Sequence, residues 1–455
     1  MADDFDVVVV GGGINGAGLA RDLAGRGWRV LLAEAQDLAQ HTSSSSTKLI
    51  HGGLRYLETY EFSLVRKALQ ERELLLRSAP HLIQPLRFVL PHAPHLRPAW
   101  MIRIGLFLYD HLARRELLPG SHRLNLAGSV YGEPLRPEFT RGFVYSDGWV
   151  DDARLVVANA QDARARGAEV LTRCAVTHAR RGADGWQVSL QGGRALRSRA
   201  LVNAAGPWAE AFLRGQGLPT RGLRLVKGSH IVVDQRFTHD HAYIFQNPDG
   251  RIIFAIPFQG RFTLIGTTDV ELPEHEAPPA QAQIEADEIA YLCEQASRYL
   301  ARPVVPADVL WTYAGVRPLL DEGGSASSVT RDYLLETDAA GGALLLLNVW
   351  GGKLTTYRKL AEDGATQLGR LLGDERRPWT ARAQLPGGDL GAHGVDIAGF
   401  TAALQARHAD RPPAMVARMA RAYGSAAAEL LAAPLGAEVA PGLFDGELRH
   451  LVDHE

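Results

Sequence analysis

An α/β protein with a dinucleotide-binding unit at its start, an antiparallel-sheet domain and a small helical C-terminal domain is what this sequence predicts. Three observations carry that expectation. A strand, a run of glycines and a helix open the chain and lead into a second apolar strand. Residues 223–268 are rich in strand-forming segments. After Pro386-Gly387-Gly388 the composition shifts toward alanine, leucine and arginine. At 455 residues the chain exceeds what one core usually serves, so two or three domains are expected.

The first strand is read at Phe5–Val10, the first helix as far as Arg26, and the second strand at Arg29–Glu34. Both strands are apolar throughout, the pattern of parallel strands covered on two faces. Thr59 to Ala79 reads as an amphipathic helix with Phe62, Val65, Leu69 and Leu76 on one face, Glu73 placed to pair with Arg77, and Pro80 as the stop. Five prolines between residues 80 and 98 suggest an irregular excursion. Asp151 and Asp152 cap a helix to about Arg166. Strands follow near Val170, Val188 and Leu201, then at Ser229–Val233, Arg251–Ile256 and Phe262–Ile265. A helix is expected over 281–300, strands at Val309–Gly315 and Ala343–Trp350, and a further helix from about Leu354.

The glycines form the pattern G-x-G-x-x-G at Gly11, Gly13 and Gly16. Between a strand and a helix, with Glu34 closing the next strand, this is a Rossmann-type dinucleotide fingerprint. Gly11 permits the tight turn, Gly13 admits a pyrophosphate to the backbone, and Gly16 lets helix and strand pack closely. The helix N-terminus at Ile14 and Asn15 offers free N–H groups to phosphate. Glu34 suits ribose hydroxyls. The fingerprint alone does not separate FAD from NAD.

Composition excludes several classes. A net charge of −2 gives no general attraction to nucleic acid. Cys174 and Cys293 fit no metal or disulfide framework, so neither a metal site nor an oxidising compartment is expected. The N-terminus lacks the basic region of a secretory signal, which predicts a cytoplasmic protein. No stretch approaches the roughly 20 apolar residues of a spanning helix. The most apolar run, Ala99 to Tyr109, is either an interfacial segment or a buried core helix.

The segment His41-Thr42-Ser43-Ser44-Ser45-Ser46-Thr47-Lys48-Leu49-Ile50-His51-Gly52-Gly53-Leu54-Arg55-Tyr56-Leu57 is decisive. With the fingerprint, and with Trp149–Arg154, Asn203–Trp208, Lys227-Gly228-Ser229-His230, Ile265–Asp269, Gly315–Leu319, Thr330–Tyr333 and Gly351–Lys359, it resembles the respiratory FAD-dependent glycerol-3-phosphate dehydrogenases. That family lies in the D-amino-acid-oxidase-like flavoprotein group.

The resemblance implies a discontinuous FAD-binding domain (1–80, 147–222, 308–384), a substrate domain (81–146, 223–307) and a helical domain (385–455). The family's chains usually run on past the point that matches Glu455. It implies that FAD is wrapped by Thr42, Ser43, Ser44, Ser45 and Lys48 along the pyrophosphate and ribityl chain. Ala205, Gly206 and Trp208 would lie beside the adenosine. His51, Gly52, Gly352, Lys353, Leu354 and Thr355 would meet the flavin. Glycerol 3-phosphate is the implied substrate, with a hydride passing from its C2 to flavin N5. Arg55, Arg317 and Arg331 would clamp the phosphate, Tyr56 and Thr355 would position the substrate, and Lys353 would add positive charge. His230 is the first candidate for the base. Ubiquinone or menaquinone is the implied acceptor, reached by peripheral association with the inner face of the cytoplasmic membrane. Oxygen is the alternative acceptor, and a homodimer stays open.

Overall fold

The computed structural model describes residues 3–93, 98–273, 278, 281–320, 332–338 and 344–455. Two sheets organise them. The first has eight strands. Its main path runs Leu334–Asp338, Leu345–Trp350, Ala195–Asn203, Asp3–Val10, Val30–Ala33 and Glu169–Leu171. Pairing is parallel from Leu345–Trp350 through to Glu169–Leu171. Val7, Val8 and Val9 have no exposed surface, which is why the strand is apolar on both faces.

Helix α1, Ile14–Gly25, packs on this sheet with Leu19, Ala20 and Leu23 in the core. Helix α2, Phe62–Ser78, is shorter than expected at its start. Val65, Leu69 and Leu76 are buried as anticipated, but Phe62 is exposed at the first turn. Glu73 does not pair with Arg77. Its carboxylate accepts hydrogen bonds from the Glu116 and Leu117 backbone N–H groups, while Arg77 pairs with Glu116. A turn with donors in need of an acceptor outcompetes the local i,i+4 partner.

Within the proline-rich stretch Ile83–His92 is a strand, not an irregular excursion, and Pro94 lies outside the described residues. Ile83–His92 pairs in antiparallel register with Arg141–Val150 along its full length, and Pro85 and Pro91 lie opposite Gly148 and Gly142. On its other side it meets Ala242–Gln246 only at Phe88 and Val89. Proline is tolerated where the second ladder is missing. Helix α3, Ala99–His111, follows. It buries Ile102, Leu106 and Tyr109, and exposes Trp100, Met101, Ile104 and Phe107 by 45 to 62%.

The second sheet has ten strands. It continues from Arg141–Val150 and Ile83–His92 through Ala242–Gln246, Ile252–Phe258 and Phe262–Gly266 to Leu223–Asp234. Val309–Leu320 pairs along nearly all of Leu223–Asp234, so it belongs to this sheet. Leu49–Ile50 joins the far edge. Helix α4, Asp152–Ala165, begins where predicted, with the Asp151 side chain accepting from the Arg154 N–H. Helix α5, Ala209–Gly215, lies on the first sheet, and α6, Ala286–Ser297, on the second. Helix α7, Tyr357–Leu371, packs against α1 and is tied to α2 through the buried Arg358–Glu71 pair.

The C-terminal part is helical, as α8 (Ile397–Arg407), α9 (Pro413–Tyr423), α10 (Ala426–Ala432) and α11 (Asp445–His454). A short hairpin, Glu438–Ala440 with Leu443–Phe444, interrupts it, which the alanine-rich composition did not suggest.

Candidate functional site

Residues from both sheets line one cavity of about 1010 Å³. That is at the upper end for small-molecule sites and suits an extended ligand. At one end stands the glycine turn. Gly11 has φ +105°, and a Cβ there would sit 2.5 Å from the Ala204 carbonyl oxygen. A Cβ on Gly16 would come within 1.9 Å of the Gly11 oxygen. Both glycines are therefore required by close backbone approach. Gly13 differs, since a Cβ there would meet only Ser43 Oγ. The Ile14 N–H at the start of α1 donates to that same Ser43 Oγ, at 3.0 Å.

Glu34 lines the cavity beside this turn. Its carboxylate accepts from Gly12 N–H at 2.5 Å and Gln36 N–H at 2.8 Å. Ala205, Gly206 and Trp208 line the same end, and the His41 ring lies 4.5 Å from the Trp208 ring. Burial lowers the pKa of His41, with the Glu34 charge opposing it. Asn15 reaches across the cavity wall and donates to the Gly351 carbonyl at 3.1 Å.

The serine-rich segment divides. Thr42, Ser43 and Ser45 line the cavity, and the Thr42 hydroxyl donates to the Val316 carbonyl. Ser44 and Lys48 do not line it. The Lys48 ammonium, expected to face a pyrophosphate, is 2.6 Å from the buried Asp152 carboxylate and 3.2 Å from the Ser44 carbonyl. A buried carboxylate demands a counter-charge, and Lys48 is the nearest cation. Gly16 and Gly52 are also absent from the lining. The Gly52 N–H points to the Tyr109 hydroxyl at 2.8 Å and to Asp147 at 3.3 Å.

The opposite end carries positive charge. Arg55 is half-buried in the wall, and among the described residues its guanidinium has no hydrogen-bond or ion-pair partner. The Lys353 ammonium stands 4.1 Å from the centre of the Tyr56 ring. Gly352 and Leu354 flank it in the lining. Arg317 donates to the Thr268 carbonyl at 2.8 Å and pairs with Asp269 at 2.8 Å. Arg331 lies outside the described residues. Thr355 lines the cavity, but the residue is only 2% exposed and its hydroxyl is engaged with the His51 backbone, accepting from its N–H and donating to its carbonyl. It holds His51 in place.

His230 is buried in the same wall, with its ring stacked on Tyr313 at 4.6 Å and 12°. Burial, followed by the charges of Arg317 and Lys48, pushes its pKa down to about 3, so the ring is neutral at ordinary pH. Strand alternation explains the Lys227–His230 segment. Gly228 and His230 face the cavity. Lys227 and Ser229 face α6, where Lys227 pairs with Glu288 at 2.9 Å and the Ser229 hydroxyl donates to the same carboxylate.

Sequence reasoning left out Asp147, Tyr145, Phe88 and Phe254, all of which line the cavity. Asp147 carried a usable signal. It is a lone acid inside the apolar run Phe143–Val150, and its carboxylate accepts from Arg72 at 2.6 Å and from Tyr109 at 2.7 Å.

Residues 6–358 match the family described as FAD dependent oxidoreductase. A glycerol-3-phosphate dehydrogenase of Pseudomonas aeruginosa is 51% identical, over 100% of this chain and 90% of its own length. A D-erythritol 1-phosphate dehydrogenase of Brucella abortus is 47% identical, over 99% of this chain and 91% of its own. The solved structure of a glycerol-3-phosphate dehydrogenase from Bacillus halodurans, complexed with FAD, superposes with a TM-score of 0.73 at 30% identity. It covers 94% of this chain and 77% of that one.

Proposed function

The chain belongs to the FAD dependent oxidoreductases, among the glycerol-3-phosphate dehydrogenases, and on that footing we propose that it oxidises sn-glycerol 3-phosphate to dihydroxyacetone phosphate. One observation carries the proposal: a single cavity joins a dinucleotide cradle to a cluster of cations around a neutral, buried imidazole. FAD, when bound, supplies the acceptor for the hydride. The residues present fit it. Gly13 lines the cavity at the start of α1 with only Ser43 Oγ near a would-be Cβ, and Glu34 lines it beside the glycine turn, the residue types a pyrophosphate and a ribose would require.

Arg55 and Arg317 hold the phosphate dianion in this reading, with Lys353 and Tyr56 beside it. A guanidinium in a half-buried wall, with no counter-ion among the described residues, is a place prepared for an anion. His230 takes the proton of the secondary hydroxyl. Its low pKa suits it poorly as a base, but a dianion beside Arg317 would offset one of the charges that depress it. The phosphate clamp rests on this geometry.

Anaerobic addition of glycerol 3-phosphate to the yellow holoenzyme should bleach the flavin. In Arg317→Ala the concentration for half-bleaching should rise by roughly 10- to 100-fold, the worth of a charge-assisted hydrogen bond, with FAD still bound. An unbleached wild-type enzyme would sink the reading. Bleaching by erythritol 1-phosphate alone would redirect it to the longer polyol.

We propose a quinone as the acceptor and a membrane surface as its source. Among the described residues no helix is long and apolar enough to cross a membrane. Helix α3 instead turns Trp100, Met101, Ile104 and Phe107 outward, an apolar face suited to lipid at the interface. Co-sedimentation of the holoenzyme with phospholipid vesicles tests that surface, and protein left wholly in the supernatant removes it. Faster reoxidation by oxygen than by a soluble quinone would favour an oxidase.

A further inference from the structure

We propose that Asp269 is the residue that fits the site to phosphorylated polyols: its carboxylate, paired with Arg317, accepts a hydroxyl hydrogen of the substrate and turns away ligands that carry a second anion there. This rests on Arg317 being part of the phosphate clamp.

The acids of the cavity wall differ in what they have left to bind. Glu34, Asp147, Asp249, Glu271 and Asp332 line it, and each has both carboxylate oxygens bonded to protein donors. Asp269 lines it too, with its side chain 31% exposed. Its Oδ1 lies 2.8 Å from Arg317 Nη2, and its Oδ2 has no partner among the described residues. A carboxylate only accepts hydrogen bonds, so that oxygen calls for a donor from the ligand.

The backbone on both sides of Asp269 is anchored. Thr268 is buried, and its hydroxyl donates to Glu288 at 2.7 Å and accepts from the Ser229 N–H at 2.9 Å. Val270 pairs with Lys227 in the second sheet. Arg317 Nη2 also donates to the Thr268 carbonyl at 2.8 Å, and its guanidinium lies over Gly228, where any Cβ would collide with it. The carboxylate and the guanidinium are thus set against each other before a ligand arrives.

This pairing changes what Arg317 recognises. A guanidinium already neutralised by a carboxylate attracts a bare anion weakly, and a dianion placed beside it meets the Asp269 charge as well. Inorganic phosphate therefore gains little. A polyol phosphate brings a dianion for Nη1 and Nε of Arg317, which have no partner among the described residues, and a hydroxyl for Oδ2 of Asp269. A phosphorylated carboxylic acid sets anion against anion instead, and is rejected.

The test compares three ligands of the holoenzyme: glycerol 3-phosphate, propyl phosphate, which has no hydroxyl, and 3-phosphoglycerate, which has a carboxylate. Flavin bleaching reads the first, and competition against bleaching reads the other two. Wild-type protein should hold glycerol 3-phosphate at least about tenfold tighter than either. In Asp269→Ala the advantage over propyl phosphate should fall about tenfold, the worth of a charge-assisted hydrogen bond, and 3-phosphoglycerate should tighten about tenfold more than propyl phosphate does. Asp269→Asn, which keeps an acceptor for Arg317 but drops the charge, should tighten 3-phosphoglycerate in the same sense, and it decides alone if the alanine variant does not hold FAD. Equal shifts for all three ligands overturn the proposal, because Asp269 then does no more than neutralise Arg317. An unchanged affinity for propyl phosphate in Arg317→Ala overturns the clamp itself, and so separates that failure from this one.

Discussion

Replacing His230 by alanine is expected to slow reduction of the bound flavin by glycerol 3-phosphate by roughly 10²- to 10⁴-fold, the usual contribution of a positioned general base. At the cited conversion that is about 3–5 kcal/mol of barrier. FAD should stay bound, because His230 stands on the 223–234 strand of the second sheet, away from the glycine turn. Binding of the phosphate should change little, since Arg55 and Arg317 are untouched. The expected signature is thus a loss in the first-order reductive rate without a matching rise in KM. Stopped-flow reduction under anaerobic conditions reads both quantities. A variant that reduces its flavin at the wild-type rate would show that the proton leaves by another route.

Gly13→Val should yield a folded, colourless protein. Gly13 sits at φ −76°, ψ −177°, extended backbone that valine adopts without strain. Its only neighbour within reach of a new Cβ is the Ser43 hydroxyl, which can rotate aside. The added methyl groups would instead occupy the cavity in front of the α1 N-terminus, where a pyrophosphate must come closest. Gly16→Val makes the contrast. A Cβ there collides with the Gly11 carbonyl, so that variant should lose the fold along with the flavin. Absorbance at the flavin band and circular dichroism, taken together, distinguish the two. A yellow, saturated Gly13→Val would show that the pyrophosphate does not pass this turn.

The opening βαβ unit was legible because three independent signals coincide within 34 residues: uninterrupted apolar strands, glycines at fixed spacing, and an acid at the second strand's end. The Asp151 cap was equally plain, since only a short acceptor before a helical pattern does that work. What escaped are features that depend on a distant partner. Ile83–His92 looked irregular because its prolines are acceptable only where one flank of the strand is unpaired, and that flank is set by residue 242 and its neighbours. Lys48 looked like an anion ligand until Asp152 was found beneath it. Thr47 sat inside the segment that identified the family, yet nothing in its neighbourhood along the chain announces His230, whose Nε2 its hydroxyl meets 183 positions away.

The walls of the cavity are stitched across the chain by Ile14 to Ser43, Asn15 to Gly351, Thr42 to Val316 and His51 to Thr355. During synthesis the first of these contacts can form early, but the others wait for partners 274 to 336 positions further along the chain. A growing chain therefore has no flavin berth, however complete its glycine turn. Acquisition of the yellow colour is an event of the finished polypeptide, and a nascent chain must be kept from aggregating without help from its cofactor.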